Sequence, residues 1–436
     1  MRPLPTHTHH HDCHFQRTRN NPLVLNSVAL ISPNRCGLDS MLNRIQEARL
    51  TKFGLMDIYD KVLDKKRLEW DDGMRLYQCP DLNLVGALAN LVREQKNGNL
   101  CYYVRNQHIN YTNVCNKFCK FCSFYALPRD DDAYTMSVED VQQKVAEFMD
   151  FPVSEIHMVA GINPRLDYQY YKDIIRVVKE TRPGVHVKAF TMVELVQIAK
   201  KARKPLDETM AELKEAGLDS IPGGGAEIFS DRIQQELFPL KQNGKEWLDI
   251  AMTAHRIGLR SNATMLYGHI ERIDEKVDHL VQLREAQDET GGFFTYIPLH
   301  FHPERTEMEG IRHAAGEQDL REIAIGRLML DNFDHIKSFW VMITPQIAQV
   351  AQWYGADDID GTIVEYEITR DPVHDKKQYL THRQMVHLIE DAGREPFERD
   401  SKYRRVNWDT SQYPGLAKEA QMEEMSAMST AASVLN

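Results

Sequence analysis

Cys115-Asn116-Lys117-Phe118-Cys119-Lys120-Phe121-Cys122 sets three thiols at C-x₃-C-x₂-C, with an aromatic ring directly before the last one. Thiolates are soft ligands that suit iron–sulfur clusters or zinc. A cubane cluster usually takes four cysteines; this loop offers three and leaves one iron open to another ligand. Structural zinc sites normally carry two ligand pairs across a long spacer. No Cys-x₂-Cys or His-x₃-His pair follows this loop to complete one.

The pattern around the loop predicts the fold. From residue 101 onward, short β-rich runs recur at 107–113, 155–160, 185–191, 218–221, 259–266, 293–299, 336–343 and 359–366. Amphipathic stretches such as 138–149, 170–180, 245–257 and 273–287 separate them. Strands alternating with helices imply a parallel sheet. Eight runs predict a closed (β/α) barrel, whose chemistry sits at the C-terminal ends of its strands. The cysteine loop follows the first run.

Four segments result. Residues 1–37 form a flexible, histidine-rich tail holding His7, His9, His10, His11 and His14, a group that either binds metal or is an unstructured start. Residues 38–100 read as a helical segment, with apolar residues from Leu42 to Tyr59 near helical spacing and a second stretch from Leu84 to Val92. The barrel occupies 101–370. Residues 371–436 are an extension in which 380–392 predicts a helix, charged 394–403 wraps the barrel surface, and the Met- and Glu-rich tail has no assigned role.

Composition narrows the function classes. The 436 residues are 42% hydrophobic and 27% charged, ordinary for a soluble globular chain. A net charge of −11 argues against a general nucleic-acid surface. No run of 18 apolar residues predicts a membrane span, and the start lacks a signal-peptide core. Seven cysteines with one tight cluster fit a reducing compartment, so a cytoplasmic protein is expected.

The strand ends supply candidate groups. Gly161 follows the second run, and Gly223, Gly224 and Gly225 follow the fourth, where backbone must pass close to something bulky. No Lys-Ser/Thr follows these glycines, so a Walker-type phosphate loop is not predicted. The fifth run delivers Tyr267 and His269, and His269 suits acid–base work near neutral pH. His300 and His302 lie two apart on the sixth run and share one side. A metal there lacks an evident third ligand, so substrate contact is the preferred reading.

The cysteine spacing resembles the signature of radical S-adenosylmethionine (SAM) enzymes. That resemblance implies a [4Fe–4S] cluster on Cys115, Cys119 and Cys122, with SAM on the open iron. Reduction then cleaves SAM to methionine and a 5′-deoxyadenosyl radical. It also implies SAM-binding roles for Phe121, Gly161, Thr191, Glu194, Gly223 and Gly224. Here the chain has Ala160-Gly161 where a Gly-Gly pair is common, so only a backbone contact carries over. Glu194 suits a ribose hydroxyl pair, or it simply caps a helix.

Further segments extend the likeness over about residues 45 to 370. Pro222-Gly223-Gly224-Gly225-Ala226-Glu227-Ile228, Asn262-Ala263-Thr264-Met265-Leu266-Tyr267-Gly268-His269, Asp288-Glu289-Thr290-Gly291-Gly292-Phe293 and His302-Pro303-Glu304 resemble the aminofutalosine synthase family of menaquinone biosynthesis. The resemblance implies a transferase joining SAM, as co-substrate, to 3-[(1-carboxyvinyl)oxy]benzoate. The products are 6-amino-6-deoxyfutalosine, methionine and bicarbonate. The radical adds to the vinyl carbon and does not remove a hydrogen. A one-electron reductant of flavodoxin or ferredoxin type is implied as partner. Tyr267 and His269 are the expected catalytic residues, and Lys188, Arg260, His300 and His302 the expected contacts to the two substrate carboxylates. Alternatives are the sister cyclase acting on dehypoxanthine futalosine, where a Phe-Gln-Pro segment is typical near 300–303, the deazaflavin-cofactor synthases, and a non-catalytic iron–sulfur or zinc protein.

Overall fold

The computed structural model describes residues 46–363, 368 and 378–417. The histidine-rich start, Cys13, Cys36 and the tail beyond 417 lie outside the described residues. Ten strands form one parallel, curled sheet: β1 (Leu100–Tyr103), β2 (Asn106–Ile109), β3 (Glu155–Met158), β4 (His186–Ala189), β5 (Ser220–Ile221), β6 (Arg260–Tyr267), β7 (Phe293–His300), β8 (His335–Ser338), β9 (Asp358–Ile359) and β10 (Glu395–Glu398). Their spatial order is β10-β1-β9-β8-β7-β6-β5-β4-β3-β2. β2 to β9 match the eight predicted runs.

The chain beyond β9 returns to β2 by side-chain and loop bonds, not by a regular ladder. The Thr362 amide donates to the Val104 carbonyl at 3.2 Å, and the Asn106 amide donates to Thr362 Oγ1 at 3.3 Å. Helices between the strands start on local chemistry. Ser137 with Asp140, Thr191 with Glu194 and Asn243 with Glu246 each form a reciprocal cap at a helix start. The predicted N-terminal helices are present at Met56–Leu63, Trp70–Gln78 and Leu82–Asn97. They pack against the barrel's outer helices, where buried Tyr77 donates to Glu322 at 2.6 Å.

Two strands depart from the sequence reading. β1 lies just before the first predicted run and pairs with both β9 and β10. β10, Glu395-Pro396-Phe397-Glu398, falls in the charged stretch expected to wrap the surface. Its charges and its proline hide a strand signal, yet both suit an edge strand with one open side. The segment after it turns under the barrel. Arg399 and Tyr403 bond to Asp358, the first residue of β9, and Ser401 donates to Glu155, the first residue of β3, at 2.6 Å. The Tyr403 ring stacks on His335, the first residue of β8, with centroids 3.5 Å apart. The extension therefore closes the N-terminal end of the barrel.

Candidate active site

A cavity opens at the C-terminal end of the strands, lined by Cys115, Cys119 and Cys122 together with Phe121, His300 and His302. Backbone bonds to distant elements pin the cysteine loop. The Asn116 amide donates to the Ile162 carbonyl beyond β3 at 3.1 Å, and the Lys120 amide donates to the Leu237 carbonyl at 2.9 Å. The Glu307 amide, beyond β7, donates to the Lys120 carbonyl at 3.0 Å. Burial pushes the Cys119 thiol up to about 12 and raises Cys122. A bound cation reverses that preference and holds such thiols as thiolates. Three soft donors on one pinned loop, opening on one cavity, fit an iron–sulfur cluster.

The surrounding wall is built for close approach. A Cβ on Gly161 would stand 2.4 Å from the Val114 carbonyl oxygen, so glycine lets the exit of β3 press against the cysteine loop. The Gly161 amide is already bound to the Thr112 carbonyl at 2.8 Å, so its contribution is the space it leaves. A Cβ on Gly223 would stand 2.5 Å from the Asn262 carbonyl oxygen on β6. Gly224 and Thr191 also line the cavity. Phe121 meets Phe238 edge-on at 5.9 Å, and the Lys241 ammonium lies 5.4 Å from the Phe121 ring. Lys241 is in turn paired with Glu227.

His300 ends β7 with its Nδ1–H donating to Asp319 at 2.8 Å, and the Tyr267 hydroxyl donates to the same oxygen at 2.7 Å. That arrangement leaves His300 Nε2 as the lone-pair nitrogen, buried and without a partner. His302 donates from Nε2 to the Met342 carbonyl at 2.9 Å, and its Nδ1 is buried without a partner. His108 and His157, register partners on β2 and β3, line the same cavity, with ring centroids 4.4 Å apart. Burial depresses His108 to about 4.

Several expected site residues lie elsewhere. Lys188 is buried next to His157 in the sheet register, but its ammonium turns to Glu155 at 2.6 Å. Arg260 opens β6 at the opposite end of the barrel, donates to the Phe293 carbonyl at 3.0 Å, and stacks on Phe294. Neither lines the cavity among the described residues. Glu194 is 2% exposed and fully engaged with protein donors. It accepts from Tyr111 at 2.7 Å, from the Thr191 amide at 2.7 Å and from the Ala160 amide at 3.2 Å. It caps its helix and does not line the cavity. Tyr267 is wholly buried behind His300 and acts on Asp319. His269 Nε2 donates to the Leu266 carbonyl at 3.0 Å, and its Nδ1 accepts from the Ile270 amide at 2.8 Å. Both nitrogens are spent on the turn that contains them.

Other groups escaped the sequence reading. Asp319 lies 19 residues beyond His300, and Lys241 and His313 sit in loops without periodicity. Only His108 and His157 carried a signal, as histidines at matching positions of two neighbouring strand runs.

Comparison with known proteins agrees with this geometry. Residues 109–283 match the Radical SAM superfamily and residues 290–412 the CofH/MqnC C-terminal region. The chain is 44% identical over 360 residues to an aminodeoxyfutalosine synthase of Thermus thermophilus, covering 81% of this chain and 97% of that one. It is 39% identical over 362 residues to an aminodeoxyfutalosine synthase of Streptomyces coelicolor, covering 80% and 92%. Among solved structures, methylornithine synthase superposes with a TM-score of 0.62 at 17% identity, over 78% of this chain and 97% of that one, a likeness of fold. The chain belongs to the radical SAM superfamily, and within it to the aminodeoxyfutalosine synthase family.

Proposed function

We propose that this chain joins the 5′-deoxyadenosyl group of SAM to 3-[(1-carboxyvinyl)oxy]benzoate, giving 6-amino-6-deoxyfutalosine, methionine and bicarbonate. The observation that carries the reading is convergence. The glycine turn 223–225, the histidines at 300 and 302, and three thiols from a separate loop line one cavity in a chain 44% identical to a named synthase.

Cys115, Cys119 and Cys122 would hold a [4Fe–4S] cluster, and Phe121 would shield it. When bound and reduced by a flavodoxin- or ferredoxin-type donor, the cluster supplies the electron that splits SAM. Gly161 and Gly223 let the strand exits close against the cysteine loop and β6, and Gly224 and Thr191 line the wall along which SAM would lie. A reactive carbon must be held against its target with water and stray hydrogen donors excluded. Phe339, Met342 and Leu299 in the lining provide that exclusion. His300 presents Nε2 to the cavity in a tautomer set by Asp319, and is positioned to hold or move a proton at a substrate carboxylate. Tyr267, Lys188 and Arg260 act on the protein and do not touch substrate.

The sister cyclase reaction is the second reading. Parallel anaerobic assays separate the two: reductant and SAM with either the enolpyruvyl benzoate or dehypoxanthine futalosine, with products read by mass. An adduct of the deoxyadenosyl carbon with the aromatic acid, formed with loss of the carboxylate, is expected. Free 5′-deoxyadenosine without adduct, together with turnover of dehypoxanthine futalosine, would assign the cyclase reaction instead.

A further inference from the structure

Beyond the cysteine loop, the structure gathers a second set of metal donors at the rim of the same cavity. One donor atom each from His302, Glu304 and His313 lie within 4.8 Å of one another. His302 and Glu304 alternate on the chain leaving β7, and His313 comes back to them from the far side of the loop. We propose that these three residues form a mononuclear site for a divalent first-row transition ion such as zinc, separate from the cysteine loop.

The protonation pattern supports this. A metal-binding imidazole typically donates its other N–H to a carbonyl or carboxylate, which fixes the free lone pair toward the ion. His302 has that arrangement: Nε2–H donates to the Met342 carbonyl at 2.9 Å, and Nδ1 is left buried with no partner. His313 Nε2 is bonded to one Glu304 oxygen, while the other Glu304 oxygen is also buried with no partner. A buried polar atom left without a partner is destabilising. One cation satisfies the His302 nitrogen and the Glu304 oxygen together.

An independent observation lies next to the trio. His300 is only 6% exposed, its Nδ1 is anchored on Asp319, and its Nε2 is buried without a partner. Its ring centroid is 4.9 Å from that of His302 and 6.0 Å from that of His313. The group of three is thus flanked by a further lone pair that no protein donor meets. Two imidazoles and a carboxylate form the borderline donor set of zinc and divalent iron or manganese sites, whereas the soft thiol loop favours a cluster. Three protein ligands leave coordination positions for water or for a carboxylate oxygen held in the cavity. The site's existence does not depend on which reaction the cavity performs.

The test uses the full chain with its cluster reconstituted, so that zinc cannot fill the cysteine loop. All measurements start from a parent in which His7, His9, His10, His11 and His14 are alanine, which removes the histidine-rich start as a competitor. Equilibrium dialysis against Zn²⁺ with metal analysis should find one zinc per chain beyond the cluster iron. Glu304→Gln and His313→Ala should each weaken zinc binding by at least about tenfold, with iron content and cluster absorbance unchanged. A parent that binds no zinc, or variants that bind it as the parent does, would overturn the proposal. Should either variant lose its cluster, X-ray absorption at the zinc edge of the parent decides. A shell of two imidazoles and oxygen supports the site, and a sulfur shell refutes it.

Discussion

The two ends of the barrel solve opposite problems with similar residues. At the N-terminal end, buried charges are paired with one another. Lys188 meets Glu155, Arg399 meets Asp358, and Arg327 meets Asp357 just before β9. The extension supplies Arg399, Ser401 and Tyr403 to this network. At the C-terminal end, three thiols line a cavity, and His300 Nε2 and His302 Nδ1 are buried without protein partners. A buried charge is tolerated when paired, and an unpaired polar atom is tolerated where a ligand completes it. The contrast separates residues that hold the fold from residues kept ready for chemistry, although both kinds are polar and buried.

The strongest way to break this contrast is at Lys188, which sits in the sheet next to a cavity residue but belongs to the lower network. Lys188→Ala leaves the Glu155 carboxylate buried without its ion-pair partner, and removing one partner of such a pair costs about 3–5 kcal/mol. The urea midpoint should fall accordingly. Replacing both partners, as in Lys188→Met with Glu155→Leu, should recover most of the loss, because the uncompensated charge is gone. A Lys188→Ala protein of ordinary stability that had lost turnover would return Lys188 to the substrate site.

Two carboxyls sharpen the comparison through pH. Burial works against the charged form of Asp360, yet Lys337 outweighs it and holds Asp360 down to about 2. Burial also works against Glu194, where only neutral donors answer it, and its carboxyl rises to about 7. The native state thus binds a proton at Glu194 more tightly than the unfolded chain, whose carboxyl titrates near 4.5. The resulting stabilisation is fully present below pH 4.5 and is lost as pH rises to about 7, a change of order 3 kcal/mol. Glu194→Gln should flatten that slope in urea titrations at pH 5 and pH 7.5. An unchanged slope would show that Glu194 does not carry it.

Asp319 tests the upper end. Its carboxylate fixes which nitrogen of His300 bears the proton. Asp319→Asn permits the reversed tautomer and should lower turnover by about 10–100-fold, the usual cost of losing an orienting partner of a working imidazole. Iron content should not change. The pH profile of kcat should shift as well, which a purely structural defect would not produce.

How much of this was legible in the sequence follows the same division. β2 to β9 were readable because short, mostly buried stretches alternate with amphipathic helices, although β2, Asn106-Gln107-His108-Ile109, is itself largely polar. The cysteine loop was readable because its ligands are adjacent in the chain. β10 was not, since Glu395, Pro396 and Glu398 give an edge strand the composition of a loop. Lys188 and Arg260 looked alike as cations on strands. Whether a strand cation faces up into a cavity or down into an ion pair depends on partners as distant as Glu155 and Phe293. Asp319 and His313 were invisible for the same reason: their roles exist only through His300 and Glu304.

His269 separates position from availability, and its expected effect is the smallest. It follows β6 at the C-terminal end, where a histidine suggests acid–base chemistry. The Gly268 and His269 amides both donate to Glu271, at 2.7 and 2.8 Å, and the imidazole closes the same turn through Leu266 and Ile270. Burial depresses its basicity, opposed by Glu271. His269→Ala therefore removes two local hydrogen bonds, each worth about 0.5–1.5 kcal/mol, and leaves the cavity wall in place. Stability should drop by roughly 1–2 kcal/mol, while kcat stays within about threefold of the parent below the unfolding transition. A hundredfold loss of kcat with an unchanged urea midpoint would mean that the turn opens during turnover and releases the imidazole, and the line between structural and working histidines at this end of the barrel would have to be redrawn.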